Sequence, residues 1–562
     1  MNWKSILQFK CVGVVLVLAL IVAIPGGYVA AREMQCDSDQ VVVSTDKGPV
    51  SGLQTATMNE FLGIPYAGSV SGENRWEPPP PAAAWWGTTL QAKAFGPHCP
   101  QLAGPFGVAS GTEDCLYLNV FTPIYAKGWQ NLPVMVWIYG GAFVEGESDT
   151  YDPTKLVAEG VVVVTLNYRL GILGFLAHPA LGNGGPSPAS GNYGFLDQQA
   201  ALLWVKKNIK NFGGNPDNVT IFGESAGGMS VHVQLASPLA KGLFQRAIIE
   251  SGAYQLNTVP LATAEGYGEA FATSLSTPCT TAACLRALPL ATLLNSPYAS
   301  AISTVLAPNV DSYVLPDRIG VLLDSGEFNR VPVMEGSNHD EARLFVALEF
   351  VLSGALGPVG TQVCSATYPT LIGDLFELAE PNPPPPPLTP PPSPGILGEY
   401  PAANYSSYGS AVEYSIALSA VGTDAIFACP SRDSIQMIAQ YVPTFAYEFN
   451  DENAPELFLP AAGFPYGAAH ASELQYIFKI TQSLYKVPLN PIQEILSANM
   501  IRYWTQFART GNPNSFLTPF WPQYNLTADQ FQSLIPPWPR TESNFAAEHN
   551  CAFWVPNIFT VY

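Results

Sequence analysis

Short runs of almost uninterrupted apolar residues set the strongest limit on what this chain can become. They fall at residues 132–139, 161–168, 219–222, 247–250, 331–334 and 445–449. A half-exposed strand alternates apolar and polar residues, and these runs do not, so they predict strands covered on both faces of a mostly parallel sheet. Helical patterns fall between them. In 197–211, Ala201, Leu202, Val205 and Ile209 recur at helical spacing, and Gly213-Gly214 ends the run. At the front, 41–43 and 50–53 flank Asp46-Lys47-Gly48-Pro49 and read as an antiparallel hairpin. The expected fold class is α/β: a large, mostly parallel central sheet with helices on both faces and an antiparallel N-terminal hairpin. No internal repeat interrupts it, so residues 32–562 are expected to form a single domain.

Composition removes several functional classes. Of the 562 residues only 12% are charged, against about 25% in an average globular chain. Lys and Arg number 24 against 44 Asp and Glu, a net charge of −20, which repels phosphate backbones and excludes nucleic acid as a partner. With 48% hydrophobic residues the chain is not a disordered one either. Residues 1–31 read as a signal peptide: Lys4 and Lys10 precede an apolar run at 11–24, Pro25-Gly26-Gly27 breaks it, and Val29-Ala30-Ala31 offers a cleavage site. That run falls short of the ~20 residues of a span, and no other stretch is long enough. The expected location is therefore outside the cell or in an endomembrane lumen, with an uncleaved anchor as the alternative. Of nine Cys, Cys11 lies in the signal, and the even remainder suits an oxidising compartment. No paired C-x-x-C occurs and the six His are scattered, so no metal site is predicted. Sequons stand at Asn218, Asn404 and Asn525. The proline-rich stretch 381–394 cannot build a core; it reads as a surface-loop insertion, or else as a ligand for a proline-binding partner.

One motif carries chemistry. Gly223-Glu224-Ser225-Ala226-Gly227 follows the apolar run 219–222 and precedes a helix-compatible run at 229–236. In that setting a sharp turn lifts a Ser hydroxyl above the sheet, and its glycines avoid collision with neighbouring backbone. Such a Ser needs a base, an acid and an oxyanion site. Tyr139-Gly140-Gly141-Ala142-Phe143, after the run at 132–138, is a turn able to aim backbone N–H groups at one point. For the acid, Asp340 and Glu341 both follow the run at 331–334, and spacing does not choose between them. For the base, His470 lies in a glycine- and alanine-rich loop before the amphipathic run 473–478; its rivals are His98, His178, His232, His339 and His549.

Several blocks resemble the type-B carboxylesterases, the cholinesterase-like α/β-hydrolases. They include Glu113-Asp114-Cys115-Leu116-Tyr117-Leu118-Asn119-Val120, Asn167-Tyr168-Arg169-Leu170-Gly171 and Gly191-Asn192-Tyr193-Gly194-Phe195-Leu196-Asp197-Gln198-Gln199. Phe212-Gly213-Gly214-Asn215-Pro216 and Phe222-Gly223-Glu224-Ser225-Ala226-Gly227-Gly228 complete the set, and the likeness runs from about Val41 to Trp554. The resemblance implies Ser225 as nucleophile, Glu341 rather than Asp340 as acid, His470 as base, and the N–H groups of Gly141, Ala142 and Ala226 as oxyanion donors. Glu224 and Ser251 match secondary polar residues behind the triad. It also implies disulfides Cys99–Cys115, Cys279–Cys284 and Cys429–Cys551, with Cys36 and Cys364 left over. The implied activity is hydrolysis of a small-molecule or lipid-like ester through an acyl-enzyme, needing no metal or organic cofactor. The family also contains non-catalytic adhesion proteins, the alternative reading, but those lack a complete triad. Choline-selective members carry a Trp before the Glu-Asp-Cys block; the loop 100–112 has only Phe106, and Leu344 stands three residues after Glu341. Neutral short- to medium-chain esters are the expected substrates.

Overall fold

The apolar runs become the middle of one sheet. The computed structural model describes residues 40–182, 190–296, 307–352, 363–377, 393–410 and 412–554. The signal segment, Cys36 and residues 381–392 of the proline-rich stretch lie outside the described residues. The main sheet has thirteen strands. In chain order they are β1 (Gln40–Thr45), β2 (Gly48–Gln54), β3 (Met58–Pro65), β4 (Leu90–Gln91), β5 (Tyr117–Pro123), β6 (Leu132–Ile138) and β7 (Val162–Leu166). Then follow β8 (Gly214–Glu224), β9 (Arg246–Glu250), β10 (Val333–Asn338), β11 (Thr444–Phe449), β12 (Phe531–Leu534) and β13 (Arg540–Glu542). Their lateral order is β1-β2-β3-β5-β7-β6-β8-β9-β10-β11-β12-β13, with β4 beside β2.

From β7 to β12 every pairing is parallel. Continuous apolar runs fit there because helices cover both faces; β7, β10 and β11 are buried at every residue. The antiparallel part is larger than the predicted hairpin. It takes in β1, β2, β3 and β5, whose last partner β7 is also antiparallel, and β13 closes the far edge. β5 escapes the periodicity reading because Asn119 and Thr122 interrupt it; both are buried and hydrogen-bonded, Asn119 to Ser148 and Thr165. β10 starts later than the run at 331–334 and continues through Gly336-Ser337-Asn338, because its polar end feeds the site rather than the core. Ser393 and Pro394, read as the end of the insertion, instead open a short helix, Ser393–Glu399.

The helices that matter here are α1 (Tyr193–Asn208), α2 (Ala226–Ala236), α3 (Leu261–Ser274), α4 (Ala342–Leu352), α5 (Glu413–Gly422), α6 (Cys429–Ala439) and α7 (Pro491–Thr510). A π-helical turn, Thr423–Ala428, joins α5 to α6. α7 starts with a full capping box, the Asn490 side chain accepting from the Gln493 N–H while Gln493 answers to Asn490 N, and it stops at Gly511 with φ +78°. The three disulfides implied by the resemblance are formed: Cys99–Cys115, Cys279–Cys284 and Cys429–Cys551, with Cα–Cα distances of 5.0, 5.5 and 5.3 Å. Cys364 has no disulfide partner among the described residues.

Candidate active site

Ser225 sits between β8 and α2 at φ +56°, ψ −123°, a backbone region a side chain rarely occupies. Its N–H donates to Glu250 O at 2.9 Å, and its carbonyl starts α2 by accepting from Met229 N at 2.8 Å. α2 therefore begins three residues before the expected run. The flanking glycines are forced by approach of backbone: a Cβ on Gly227 would lie 1.9 Å from Ile138 O, and one on Gly223 would lie 2.5 Å from Gly227 O. Gly140 is under the same pressure, its Cβ position being 2.9 Å from Ser225 Cβ. The loop after β6 thus folds down beside the Ser. Within it Gly141 has φ +101° and Ala142 has φ +53°. Among the described residues, no backbone group accepts from the N–H of Gly141, Ala142 or Ala226.

Glu341 and Asp340, alike in sequence, part company in space. Glu341 is fully buried, and its Oε2 lies 2.5 Å from His470 Nδ1. Its other oxygen accepts from the Asn338 N–H at 2.7 Å and from the Ser251 hydroxyl. Asp340 turns away to Arg343 at 2.8 Å, to His339, and to the Ala468 N–H at 3.0 Å. It pins the loop that carries His470, and this glycine- and alanine-rich loop is buried throughout 467–473. The run 473–478 is likewise buried and contains only a short helix, Leu474–Ile477.

The far nitrogen of His470 decides the electrostatics. Nε2 is buried, makes no hydrogen bond among the described residues, and lies 3.1 Å from Glu224 Oε1, itself unbonded. The imidazole therefore stands between two carboxylates. Burial alone would depress it, but the charges of Glu224 and Glu341 outweigh burial and hold its pKa above the ordinary value. Burial and the nearby Glu341 in turn push Glu224 up to about 7, against the pull of His470. So Glu224 is in front of the base, not behind the triad. Two aromatic rings complete the surroundings: Phe345 and Phe427 lie 4.9 and 5.0 Å from the His470 ring and stack on each other. Leu344 instead points into the core. Phe427 was illegible in the sequence because a π-helical turn shifts the helical phase that brings it here.

The other histidines are engaged elsewhere. His98 pairs with Asp149, His178 accepts from Ala180 N, and His232 bonds Gly252 O and Ser434. His549 lies between Asp424 and Glu448, at 2.6 and 2.5 Å, with the His339 ring 5.5 Å away. Two groups, His98 with Glu147 and Asp149, and His339 with Glu448 and His549, bring metal-type donors close together; in the first His98 pairs with both carboxylates, and in the second His549 pairs with Glu448 while His339 pairs with Asp340.

A mostly parallel sheet whose strained Ser stands at a strand-to-helix elbow, with a carboxylate and a His on loops further along, defines an α/β-hydrolase. The chain belongs to the carboxylesterase family, whose model matches residues 39–554, and it is a carboxylic ester hydrolase. It is 33% identical over 489 residues to an acylcarnitine hydrolase of Mus musculus, covering 83% of this chain and 81% of that protein. It is also 33% identical over 493 residues to a para-nitrobenzyl esterase of Bacillus subtilis, covering 84% and 91%. A solved PNB esterase structure matches with a TM-score of 0.72 at 33% identity, covering 91% of this chain and 99% of that one.

Proposed function

We propose that Ser225, His470 and Glu341 act as the catalytic triad of an esterase working outside the cell or in an endomembrane lumen on neutral short- to medium-chain esters. The observation that carries this reading is a His470 whose Nδ1 is held by Glu341 and whose unbonded Nε2 lies beside Glu224, the residue just before the strained, half-buried Ser225. On substrate entry His470 Nε2 takes the Ser225 proton as Oγ attacks the ester carbonyl. Glu341 holds the tautomer with the proton on Nδ1 and stabilises the imidazolium. The N–H groups of Gly141, Ala142 and Ala226 stabilise the tetrahedral oxyanion, each worth about 3 kcal/mol in the transition state. His470 then protonates the leaving alcohol, and water repeats the cycle on the acyl-enzyme.

The substrate preference rests on what lines the site. Phe106, the aromatic of the loop 100–112, packs against Phe458, and no Trp stands in that loop. Phe345 offers an apolar face beside His470, weaker than Trp toward a quaternary ammonium. A relative named para-nitrobenzyl esterase supports room for an ester with an aromatic group. Three disulfides support the oxidising compartment. Asn404 and Asn525 are exposed and suited to glycans, whereas the Asn218 amide is taken by Arg246. The test is a panel of nitrophenyl esters of rising acyl length beside acetylcholine. Butyryl to octanoyl esters should give the highest kcat/KM, and Ser225→Ala should remove all turnover while the protein is still secreted. A preference for choline esters over matched neutral ones would overturn the substrate assignment.

A further inference from the structure

The end of the sheet opposite Ser225 presents an aromatic and basic surface that ester hydrolysis does not use. The loop between β5 and β6 exposes Tyr125 and Trp129, the latter at 75%, and the loop 514–521 exposes Phe516 and Phe520 at 95% and 73%. The second loop is clamped at its base, where Asn514 Oδ1 accepts from Trp521 N at 2.7 Å and Asn514 Nδ2 donates to Trp521 O at 2.8 Å. Its apolar tip is therefore held out in water by hydrogen bonds and by the buried Trp521 ring, at the expense of hydrating two Phe side chains.

The two loops belong to one face. Both lie at the N-terminal ends of the parallel strands, whereas Ser225 and Glu341 follow C-terminal ends. A methyl group on Gly160 would lie 2.9 Å from the Tyr125 hydroxyl and 3.5 Å from Arg509 Nη2, and Arg509 sits in the last turn of α7, just ahead of the 514–521 loop. Gly128 abuts Lys210 O in the same way, which joins this region to the C-terminal end of α1.

Lys127, Lys207 and Lys210 are exposed here, with Lys47, Lys206 and Arg509 half-buried beside them, and their acidic neighbours are Asp46, Glu159 and Asp217. Bases outnumber acids locally in a chain whose acids outnumber bases by 44 to 24.

We propose that this surface docks the enzyme on a membrane whose leaflet on the enzyme's own side, extracellular or lumenal, carries anionic phospholipid headgroups. Trp and Tyr favour the headgroup level, Phe tips enter the acyl boundary, and each Lys near the surface adds attraction that salt weakens. The acidic remainder of the molecule is repelled by the same membrane, so the two terms fix one orientation. In that orientation the Ser225 end faces the aqueous phase, and esters arrive from water rather than from the bilayer.

Flotation with vesicles of phosphatidylcholine alone, and of phosphatidylcholine with about one quarter phosphatidylserine, tests this. All proteins compared share one N-terminus. The parent should bind the phosphatidylserine vesicles at low salt and lose binding at high salt. Two triple variants, Trp129→Ser with Phe516→Ser and Phe520→Ser, and Lys127→Glu with Lys207→Glu and Lys210→Glu, should each weaken binding about tenfold or more. Their thermal midpoints and kcat/KM for nitrophenyl butyrate should equal the parent's. No binding at low salt would overturn the proposal. So would binding that both variants retain, which would assign it to the N-terminal apolar run. Parent dimers that the variants dissolve, without vesicle binding, would overturn it in favour of a second copy of the chain.

Discussion

His470 faces Glu341 through Nδ1 and Glu224 through Nε2, and the two carboxylates have separable effects. A general base works only when neutral, so an imidazole raised above its ordinary value shifts the acid limb of kcat/KM upward. Glu224→Gln removes the larger of the two charge effects on it and should move that limb to lower pH. The alkaline plateau should change by no more than a few-fold, and a pH–rate profile reads both. Glu224 lies 3.1 Å from Nε2 and is itself pushed up to about 7, so the limb carries its titration beside that of His470. The neighbouring carboxylates give a second contrast. Glu341→Gln should cut kcat by about 10⁴, since it supports the wrong tautomer. Asp340→Asn should spare kcat and cost about 1–3 kcal/mol of stability through the weakened Arg343 and Ala468 contacts, read by urea midpoint. Sequence spacing left these two side chains equal. Their separation arises because successive residues leaving a strand point to opposite sides, and only the placement of His470 says which side is the site.

The elbow shows how much an element can depend on one missing Cβ. Gly227→Ala would put a methyl 1.9 Å from a main-chain carbonyl of β6, which has no flexible side chain to yield. It should cost about 3 kcal/mol or more and sharply reduce the yield of folded protein, read as soluble active enzyme per cell. Gly266, inside α3 with nothing within 4 Å of its Cβ position, is the counterpart. Gly266→Ala should stabilise by about 0.5–1 kcal/mol through helix propensity, raising the denaturation midpoint without changing kcat. The elbow was readable from its motif because backbone crowding restricts residue type. The parallel strands were readable because burial on both faces removes polar positions. β5 was hidden by Asn119 and Thr122, whose burial is tolerated only through partners on other elements, and the π-helical turn was hidden because no residue type marks an added residue in a helix.

Across the whole molecule, the C-terminal segment is tied to the body by one covalent link and one buried charge network. Cys429–Cys551 closes 122 residues, and beside it His549 bridges Asp424 and Glu448 while Cys429 Sγ lies against His549 O. Replacing both cysteines by Ser should lower stability by about 4 kcal/mol on chain-entropy grounds, measured as a lower midpoint. Peptide mapping without reduction should find the Cys429 and Cys551 peptides joined. By itself the sequence determined the fold class, the elbow Ser and its glycines, since hydrophobic periodicity and steric crowding act over a few residues and leave their mark in composition. Its spacing did not determine which carboxylate faces His470, a choice only the resemblance implied, and nothing in it determined that Glu224 confronts Nε2 or that Phe345 and Phe427 flank the ring. Those follow from contacts between residues tens to hundreds of positions apart, and only the packing of strands and helices fixes which of them meet.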